Sequence, residues 1–198
     1  MTAMRRSAIV SSGRRGAPAG RNRVRIIAGK WRSRLLKFPP AAQLRPTPDR
    51  VRETLFNWLG QRLDGLACVD LFAGSGALGF EAASRGARRV VMVERDRDVA
   101  KALRESALTL GAQSVEIIEG DALGFVARAA ERFDVAFVDP PFAGDLAAKI
   151  LERLPACLSA HARVYVESAA PLELPPPWHA LRAERAGAVR YALYEFLP

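Results

Sequence analysis

The segment Asp139-Pro140-Pro141-Phe142 directly follows the apolar run of residues 135–138. At the end of a strand, such a segment can direct a carboxylate and a proline carbonyl toward one exocyclic amino group while the aromatic ring stacks on the base. Two acceptors draw the amino nitrogen toward tetrahedral geometry, so its lone pair can attack an electrophilic methyl group. The prolines fix the direction of the carbonyl. We predict that these four residues are catalytic and methylate an amino group of a base that has left its helix; the alternative is a proline turn with an aromatic lid.

A glycine-rich segment follows an earlier predicted strand. Gly74, Gly76 and Gly79 match the pattern G-x-G-x-x-G, which is typical of loops that bind a dinucleotide between a strand and a helix. In open α/β sheets, ligands lie beyond the carboxyl ends of the strands. We therefore expect this loop to contact a cofactor through five consecutive residues, Phe72, Ala73, Gly74, Ser75 and Gly76.

Acidic residues lie at the ends of the first three predicted strands. Glu94 stands 20 residues after Gly74, where a carboxylate can take the ribose hydroxyls of NAD and of S-adenosylmethionine alike. Asp70 lies below the loop, where an anion suits a positively charged methionine group better than a pyrophosphate. Asp121 can accept a hydrogen bond from an adenine amino group. Two predicted cofactor contacts follow these acids directly, Arg95 and Ala122.

Each of these acids also has a purely structural interpretation. Asp70 could form a turn, Glu94 could pair with Arg95 on the surface, and Asp121 could cap a helix. Three acids and a glycine loop at consecutive strand ends are nevertheless hard to assign to chance together. The constellation favours S-adenosylmethionine, which becomes S-adenosylhomocysteine after methyl transfer.

These side chains must be brought to one edge of a sheet, and the sequence alternates between strand and helix patterns from residue 67 onward. Strands are predicted at about 67–72, 89–94, 115–119, 133–138 and 162–167, and helices at about 77–85, 97–109, 122–130 and 145–154. Residues 180–184 and 188–197 predict an antiparallel pair at the sheet edge. The fold class is therefore α/β, a Rossmann-like doubly wound sheet that is mostly parallel with an antiparallel C-terminal edge, as in class I methyltransferases.

A smaller unit precedes this sheet. Residues 23–28 and 33–37 predict a β-hairpin, and apolar residues at helical spacing after Asp49 predict a helix. The chain is thus expected to comprise a basic, disordered tail (1–22), a hairpin-and-helix extension that contacts RNA (23–64) and a methyltransferase domain (65–198).

The basic residues are concentrated at the start of the chain. Residues 1–37 contain eleven Lys and Arg and no acid, so the remainder carries −2 of the total net charge of +9. A cationic arm on a nearly neutral body suits a polyanionic binding partner, because contacts with phosphates release counterions. For the first twenty residues, the alternative is a tail that only increases solubility. The predicted RNA contacts are Arg25, Lys30, Arg32, Arg34 and Arg45.

Other features narrow the class of protein. Cys68 and Cys157 lack the spacing of a metal site or a disulfide framework and favour a reducing cytoplasm. His161 and His179 have no neighbouring pattern that indicates a triad. No apolar run approaches the roughly 18 residues of a membrane span, although the acid-free start has the composition of a transit peptide. We expect a cytoplasmic protein that binds no metal and no membrane and is a monomer.

Several segments together resemble the RsmD family, bacterial methyltransferases that act on N2 of a guanine in 16S ribosomal RNA. The likeness covers about residues 23–197 and departs from the family at Ser33, where relatives commonly have glycine, and in the arginine-rich lead. The similar segments are Arg25-Ile26-Ile27-Ala28-Gly29, Leu44-Arg45-Pro46-Thr47, 49–57, 70–79, Asp139-Pro140-Pro141-Phe142, Tyr165-Val166-Glu167-Ser168 and 190–194.

The resemblance implies how these parts are used. Asp70, Gly74, Gly76, Glu94 and Asp121 would hold S-adenosylmethionine, residues 139–142 would hold the target base, and the arm would grip RNA. Family members favour assembled or nearly assembled small subunits, which implies ribosomal proteins as neighbours of 16S rRNA in the substrate.

The segment before the first helix has a separate physical interpretation. Thr47 and Arg52 lie at a helix N-terminus, which favours anions, so we expect them to meet a phosphate or the methionine carboxylate of the cofactor. A helix cap with a solvated ion pair between Arg52 and Glu53 is the alternative.

Three rival functions remain at this stage. The first is methylation of another nucleobase, such as adenine N6, since the four catalytic residues do not by themselves select guanine. The second is an NAD-dependent oxidoreductase, which Asp70 disfavours. The third is a non-catalytic RNA-binding assembly factor with a methyltransferase fold, against which Asp139 and Glu94 argue.

Overall fold

The computed structural model describes residues 22–40, 44, 46–141 and 145–198. Its main sheet has seven strands in the order β5-β4-β3-β6-β7-β9-β8, of which β3 to β7 are parallel and β9 is antiparallel to both of its neighbours. The strands of this sheet are β3 Ala67–Asp70, β4 Arg89–Glu94, β5 Val115–Glu119, β6 Phe133–Val138, β7 Leu158–Ser168, β8 Trp178–Ala186 and β9 Val189–Phe196.

Four helices connect the parallel strands, as in a doubly wound sheet. They are α2 Ala77–Ser84, α3 Arg97–Leu110, α4 Ala122–Arg128 and α5 Leu146–Arg153, and a further helix, α1 Asp49–Trp58, precedes β3. The predicted mostly parallel sheet with an antiparallel C-terminal edge is confirmed. Predicted and observed helix ends differ by at most two residues, whereas β7 begins four residues earlier than predicted, at Leu158.

The central strands are apolar because both of their faces are covered. All four residues of β3 are buried, and alternate residues face two different apolar layers. Cys68 and Phe137 contribute to the layer that also contains Phe80 of α2, while Val69 and Val138 contribute to the other layer. Side chains that follow these strands therefore emerge at the rim of a rigid core.

The predicted hairpin is present at the start of the described chain. Strand β1 (Arg23–Arg25) pairs antiparallel with β2 (Leu35–Lys37), and a 3-10 turn at Gly29–Trp31 lies between them. Gly29 has φ +79°, and a Cβ there would collide with the backbone oxygen of Ser84 on α2. Only glycine suits this close approach, which fixes the hairpin against α2.

Polar contacts reinforce this attachment. The Ser84 hydroxyl donates to the carbonyl of Ala28 at 2.6 Å and accepts from the backbone N–H of Trp31 at 2.9 Å. The Glu81 carboxylate accepts from the N–H groups of Ile27 at 2.7 Å and of Ala28 at 3.0 Å. The hairpin is thus held by the helix that follows the glycine loop.

Both cysteines are buried and unpaired, and burial raises the pKa of Cys68 to about 12. Within the described ranges, the helices are too short or too polar to cross a membrane.

Candidate active site

The parallel strands β3, β4, β5, β6 and β7 end at one edge of the sheet, and the residues predicted to be functional lie there. Asp70 pairs in register with Phe137 of β6, and Phe137 pairs with Tyr165 of β7. Because side chains alternate between faces along a strand, Asp139 and Glu167 lie two residues beyond Phe137 and Tyr165 on the same face. The edge therefore gathers carboxylates from three adjacent strands.

The glycine loop turns sharply between β3 and α2. Gly74 and Gly76 have φ values of +49° and +78°, and a Cβ on Gly76 would lie 2.7 Å from the ring of Phe80 and 2.8 Å from Leu103. Only a residue without a side chain fits this packing. Ala73 and Ser75 are buried beside these glycines, and Phe72 is half-buried.

Asp70 lies beneath this loop, as predicted. Its carboxylate accepts from the backbone N–H of Gly79 at 3.0 Å and of Phe72 at 3.4 Å, and only 2% of the residue is exposed. Burial raises the pKa of Asp70 to about 7, these two hydrogen bonds lower it, and the charge of Glu94 raises it further. The residue thus shapes the loop and also contributes negative charge beneath it.

Glu94 and Asp121 lie beyond the ends of β4 and β5. Glu94 accepts from the N–H of Gly74 and from that of Asp96, both at 2.8 Å, and remains half-buried. Asp121 is exposed and caps α4 by accepting from Gly124 at 2.8 Å. Each carboxylate oxygen has a second lone pair, so both acids can still accept from a ligand. Arg95 is exposed and Ala122 is buried.

Asp139 and Pro140 follow β6 at the same edge. Asp139 is half-buried, Pro140 is buried and Pro141 is exposed. Phe142, the predicted stacking residue, lies outside the described residues, as does Arg45. Burial raises the pKa of Asp139 well above its usual range, and the charges of Glu167 and Asp70 raise it further.

Sequence reasoning did not assign a function to Glu167, which the structure brings next to Asp139. Glu167 is 6% exposed and accepts from the Tyr165 hydroxyl at 2.8 Å. Thr47 is buried as well, and its hydroxyl lowers the pKa of Asp139. Burial raises the pKa of Glu167, and the hydroxyls of Tyr165 and Thr47 lower it. The alternation of Tyr165 and Glu167 at the end of a predicted strand was the available signal.

The position of Arg52 argues against a direct contact with an anion of the ligand. Its side chain has no exposed surface and donates to Asp49 at 2.6 Å, to Glu81 at 3.4 Å and to the Thr47 carbonyl at 3.2 Å. Helix α1 directs this residue inward, because Arg52 shares a face with Val51, Leu55 and Phe56 rather than with the solvent. Arg52 therefore holds the Thr47 backbone in place through its carbonyl.

The predicted RNA contacts within the described chain lie on the hairpin. Arg25, Lys30, Arg32 and Arg34 are all exposed. Arg25 pairs with Asp49 at 3.0 Å, and the Lys30 ammonium lies 5.7 Å from the Trp31 ring centroid. Charges so exposed can meet phosphates with little desolvation.

The edge lacks cationic partners for its buried acids. Among the ion pairs formed by the described residues, none includes Asp70, Asp139 or Glu167. The same residues contain no group of three or more His, Cys, Asp or Glu that could hold a metal ion. Buried carboxylates without basic neighbours suit a ligand that brings positive charge or N–H donors.

Comparisons with known proteins are consistent across sequence and structure. A family model described as "Conserved hypothetical protein 95" matches residues 24–195. "Ribosomal RNA small subunit methyltransferase D" of Escherichia coli K12 is 41% identical over 182 residues, which are 89% of this chain and 92% of that protein. The protein of the same name from Haemophilus influenzae is 42% identical over 188 residues, covering 90% and 96%. The solved structure titled "Putative methyltransferase yhhF from Escherichia coli" superposes with a TM-score of 0.82 at 41% identity, covering 88% of this chain and 98% of that one.

Proposed function

This chain belongs to the RsmD family, and from that premise we propose that it methylates the exocyclic N2 of a guanine in 16S rRNA, with S-adenosylmethionine as methyl donor. The observation that carries the proposal is a set of three carboxylates, the buried Asp70 and Glu167 and the half-buried Asp139, which lie at adjacent strand ends without ion-pair partners among the described residues.

The residues of the edge fit this cofactor. The glycine loop allows close approach of a ligand to the backbone, and Asp70 beneath it offers negative charge to a cationic methionine group. Glu94 can accept from the ribose hydroxyls and Asp121 from the adenine amino group. When bound, S-adenosylmethionine supplies a methyl group that is activated by a positively charged sulfur.

The target amino group is held from the other side of the edge. The Asp139 carboxylate and the Pro140 carbonyl each accept one N–H, which directs the nitrogen lone pair toward the methyl group. The prolines fix this geometry before the base arrives, so little reorganisation is needed during the reaction. Phe142 stacks on the base in this proposal. As the nitrogen gains the methyl group it loses a proton, and Asp139 is the acceptor in contact with it.

The proposed substrate rests on two observations, the charge of the basic hairpin and the names of the relatives. The exposed basic hairpin supplies contacts to phosphates, and the relatives are named small-subunit rRNA methyltransferases. We infer a monomeric cytoplasmic enzyme that acts on the assembled or assembling small subunit, with ribosomal proteins beside the target. The choice of guanine N2 over adenine N6 rests on membership of the family, because an acid and a carbonyl can hold either amino group.

Nucleoside mass spectrometry tests the proposal. Small subunits lacking the modification are incubated with isotope-labelled S-adenosylmethionine and either this protein or its Asp139→Ala variant. We expect label in N2-methylguanosine with the wild type only. Label in another nucleoside would show that the enzyme methylates a different base, and the proposed mechanism would still apply. No label, despite measured cofactor binding, would favour a non-catalytic RNA-binding protein.

A further inference from the structure

Glu167 lies next to Asp139 and has no function in the chemistry described above. Val138 pairs in parallel register with Val166, so Asp139 and Glu167 are the next residues outward on two adjacent strands. Neighbouring strands are about 4.8 Å apart, and residues at the same level of the pleat point to the same face. The two carboxylates are therefore neighbours because of the sheet itself and not because of a flexible loop.

The groups that face this pair are acids and hydroxyls. Asp70 approaches from β3, Tyr165 from β7 and Thr47 from the segment before α1. Tyr191 of β9 pairs in register with Glu167, but its hydroxyl donates to Glu184 at 2.8 Å. The Tyr165 hydroxyl donates to Glu167 at 2.8 Å and is therefore unavailable to Asp139. Arg52 contacts the carbonyl of Thr47 and directs its charge to Asp49 and Glu81.

Two acids at neighbouring positions of adjacent strands repel each other when both are charged. The charge of one carboxylate therefore favours a proton on the other, and the two titrate as a coupled pair. Glu167 is the more enclosed of the two, at 6% exposure, and its orientation is held by the Tyr165 hydroxyl.

We propose that Glu167 is a positioning residue for the reaction: its charge strengthens Asp139 as a proton acceptor, and the pair together holds the proton that the amino nitrogen releases. This inference rests on the proposed function. In the reaction, an N–C bond forms as the C–S bond breaks, and the sulfur keeps the electron pair of that bond. The surplus proton on nitrogen passes to a carboxylate oxygen of Asp139, so charge is conserved at the edge: the positive sulfur becomes neutral and one carboxylate is neutralised.

The test compares Glu167→Gln with the wild type by two measurements. The first is the pH profile of kcat on small subunits. The second is a titration of the Asp139 carboxyl by NMR in protein labelled with 13C-aspartate, assigned by its absence from Asp139→Asn. Glutamine keeps an acceptor for Tyr165 but removes the charge. We expect both midpoints to fall by about one to two pH units, as for neighbouring charges at an effective dielectric constant near 20, and the plateau of kcat to fall about tenfold.

Two further variants separate this effect from a structural one. Tyr165→Phe removes the hydrogen bond that lowers the pKa of Glu167, so Glu167 takes up a proton more readily and its charge acts less on Asp139. Both midpoints should therefore fall, but by less than in Glu167→Gln. Glu195→Gln is the matched control, because it removes a carboxylate charge elsewhere on the same sheet. Glu195 lies four residues, or about 14 Å, along β9 from Tyr191, which pairs with Glu167, so both midpoints should stay unchanged.

An Asp139 midpoint that is the same in folded Glu167→Gln and wild type would overturn the proposal, as would equal shifts in Glu167→Gln and Glu195→Gln. If Glu167→Gln fails to fold, an unchanged or raised midpoint in Tyr165→Phe overturns it and a downward shift supports it. If the wild type transfers no methyl group, the proposed function fails, whereas the NMR titration still decides whether Glu167 tunes Asp139.

Discussion

Replacing Glu81 by glutamine should destabilise the protein far more than an exchange of one side-chain atom suggests. The Glu81 side chain is fully buried, and its two oxygens accept from Ile27, Ala28, Arg52 and Arg85 at 2.7, 3.0, 3.4 and 2.8 Å. It therefore joins the hairpin, α1 and α2 at one point. In Glu81→Gln, one oxygen becomes an NH2 group that faces other donors.

The size of the effect follows from the burial of the cations. Arg52 has no exposed side-chain surface and Arg85 has 7%. Removing one partner of a buried ion pair costs about 3–5 kcal/mol, because the other charge remains desolvated. Asp49 still pairs with Arg52 at 2.6 Å, so we expect a loss near the lower end, about 3 kcal/mol. For a chain of this length that corresponds to a fall in Tm of about 6–12 °C.

Urea and thermal unfolding measure this loss, with Glu105→Gln as the matched control. Glu105 is exposed on α3, and the same substitution there should change the free energy of unfolding by less than about 0.5 kcal/mol. Hydrogen exchange of the Ile27 or the Ala28 amide should accelerate in Glu81→Gln only, because these amides donate to different oxygens and one of the two loses its acceptor. Equal stability of the two variants, or unchanged protection of both amides, would refute the assignment of Glu81 as the junction.

The remaining predictions concern the cofactor loop, the pH dependence of stability and the RNA arm. Gly76→Ala places a Cβ 2.7 Å from the Phe80 ring at a φ of +78°, so it should weaken S-adenosylmethionine binding more than tenfold. Calorimetry measures this affinity, and a wild-type value for the variant would contradict the prediction. Burial raises the pKa of Asp70 to about 7, so its contribution to stability is fully present below the unfolded pKa of 3.8 and is lost as the pH rises toward 7. The free energy of unfolding should therefore fall less between pH 4 and 7 in Asp70→Asn than in the wild type. Identical slopes for the two proteins would show that Asp70 does not titrate in this range. Arg32→Gln should lower the slope of log affinity for RNA against log salt by about one, whereas Arg153→Gln on α5 should leave it unchanged; equal slopes in the two variants would remove Arg32 from the RNA contacts.

The elements of the sheet could be predicted from sequence because their signals are local. The central strands β3, β4 and β6 are short and mostly apolar runs, and Gly74, Gly76 and Gly79 mark the turn after β3. The positions of Asp70, Glu94 and Asp139 at one edge follow from the parallel order of the strands. Phe142 and Arg45 lie outside the described residues, so their predicted functions remain predictions.

The contacts that sequence did not reveal connect residues far apart in the chain. Glu81 accepts from Ile27, 54 residues away, and neither residue has a pattern that points to the other. Arg52 was assigned to the ligand because it begins a helix, yet the helix turns it toward Glu81 instead. Glu167 gained its significance only from the register of β7 against β6. A propensity argument contains no information about such pairings.

For the three acids that we propose as cofactor contacts, the structural and the functional interpretations are compatible. Asp70 shapes the glycine loop, Glu94 accepts from Gly74 of the same loop, and Asp121 caps α4. A carboxylate has about four acceptor sites, so one or two bonds to backbone N–H groups leave capacity for a ligand. These bonds also fix the direction of the remaining lone pairs before the ligand arrives, which lowers the cost of ordering them on binding. An acid at this edge that caps a helix or shapes a turn is therefore already oriented to accept hydrogen bonds from a ligand. The same residue can have a structural and a binding function.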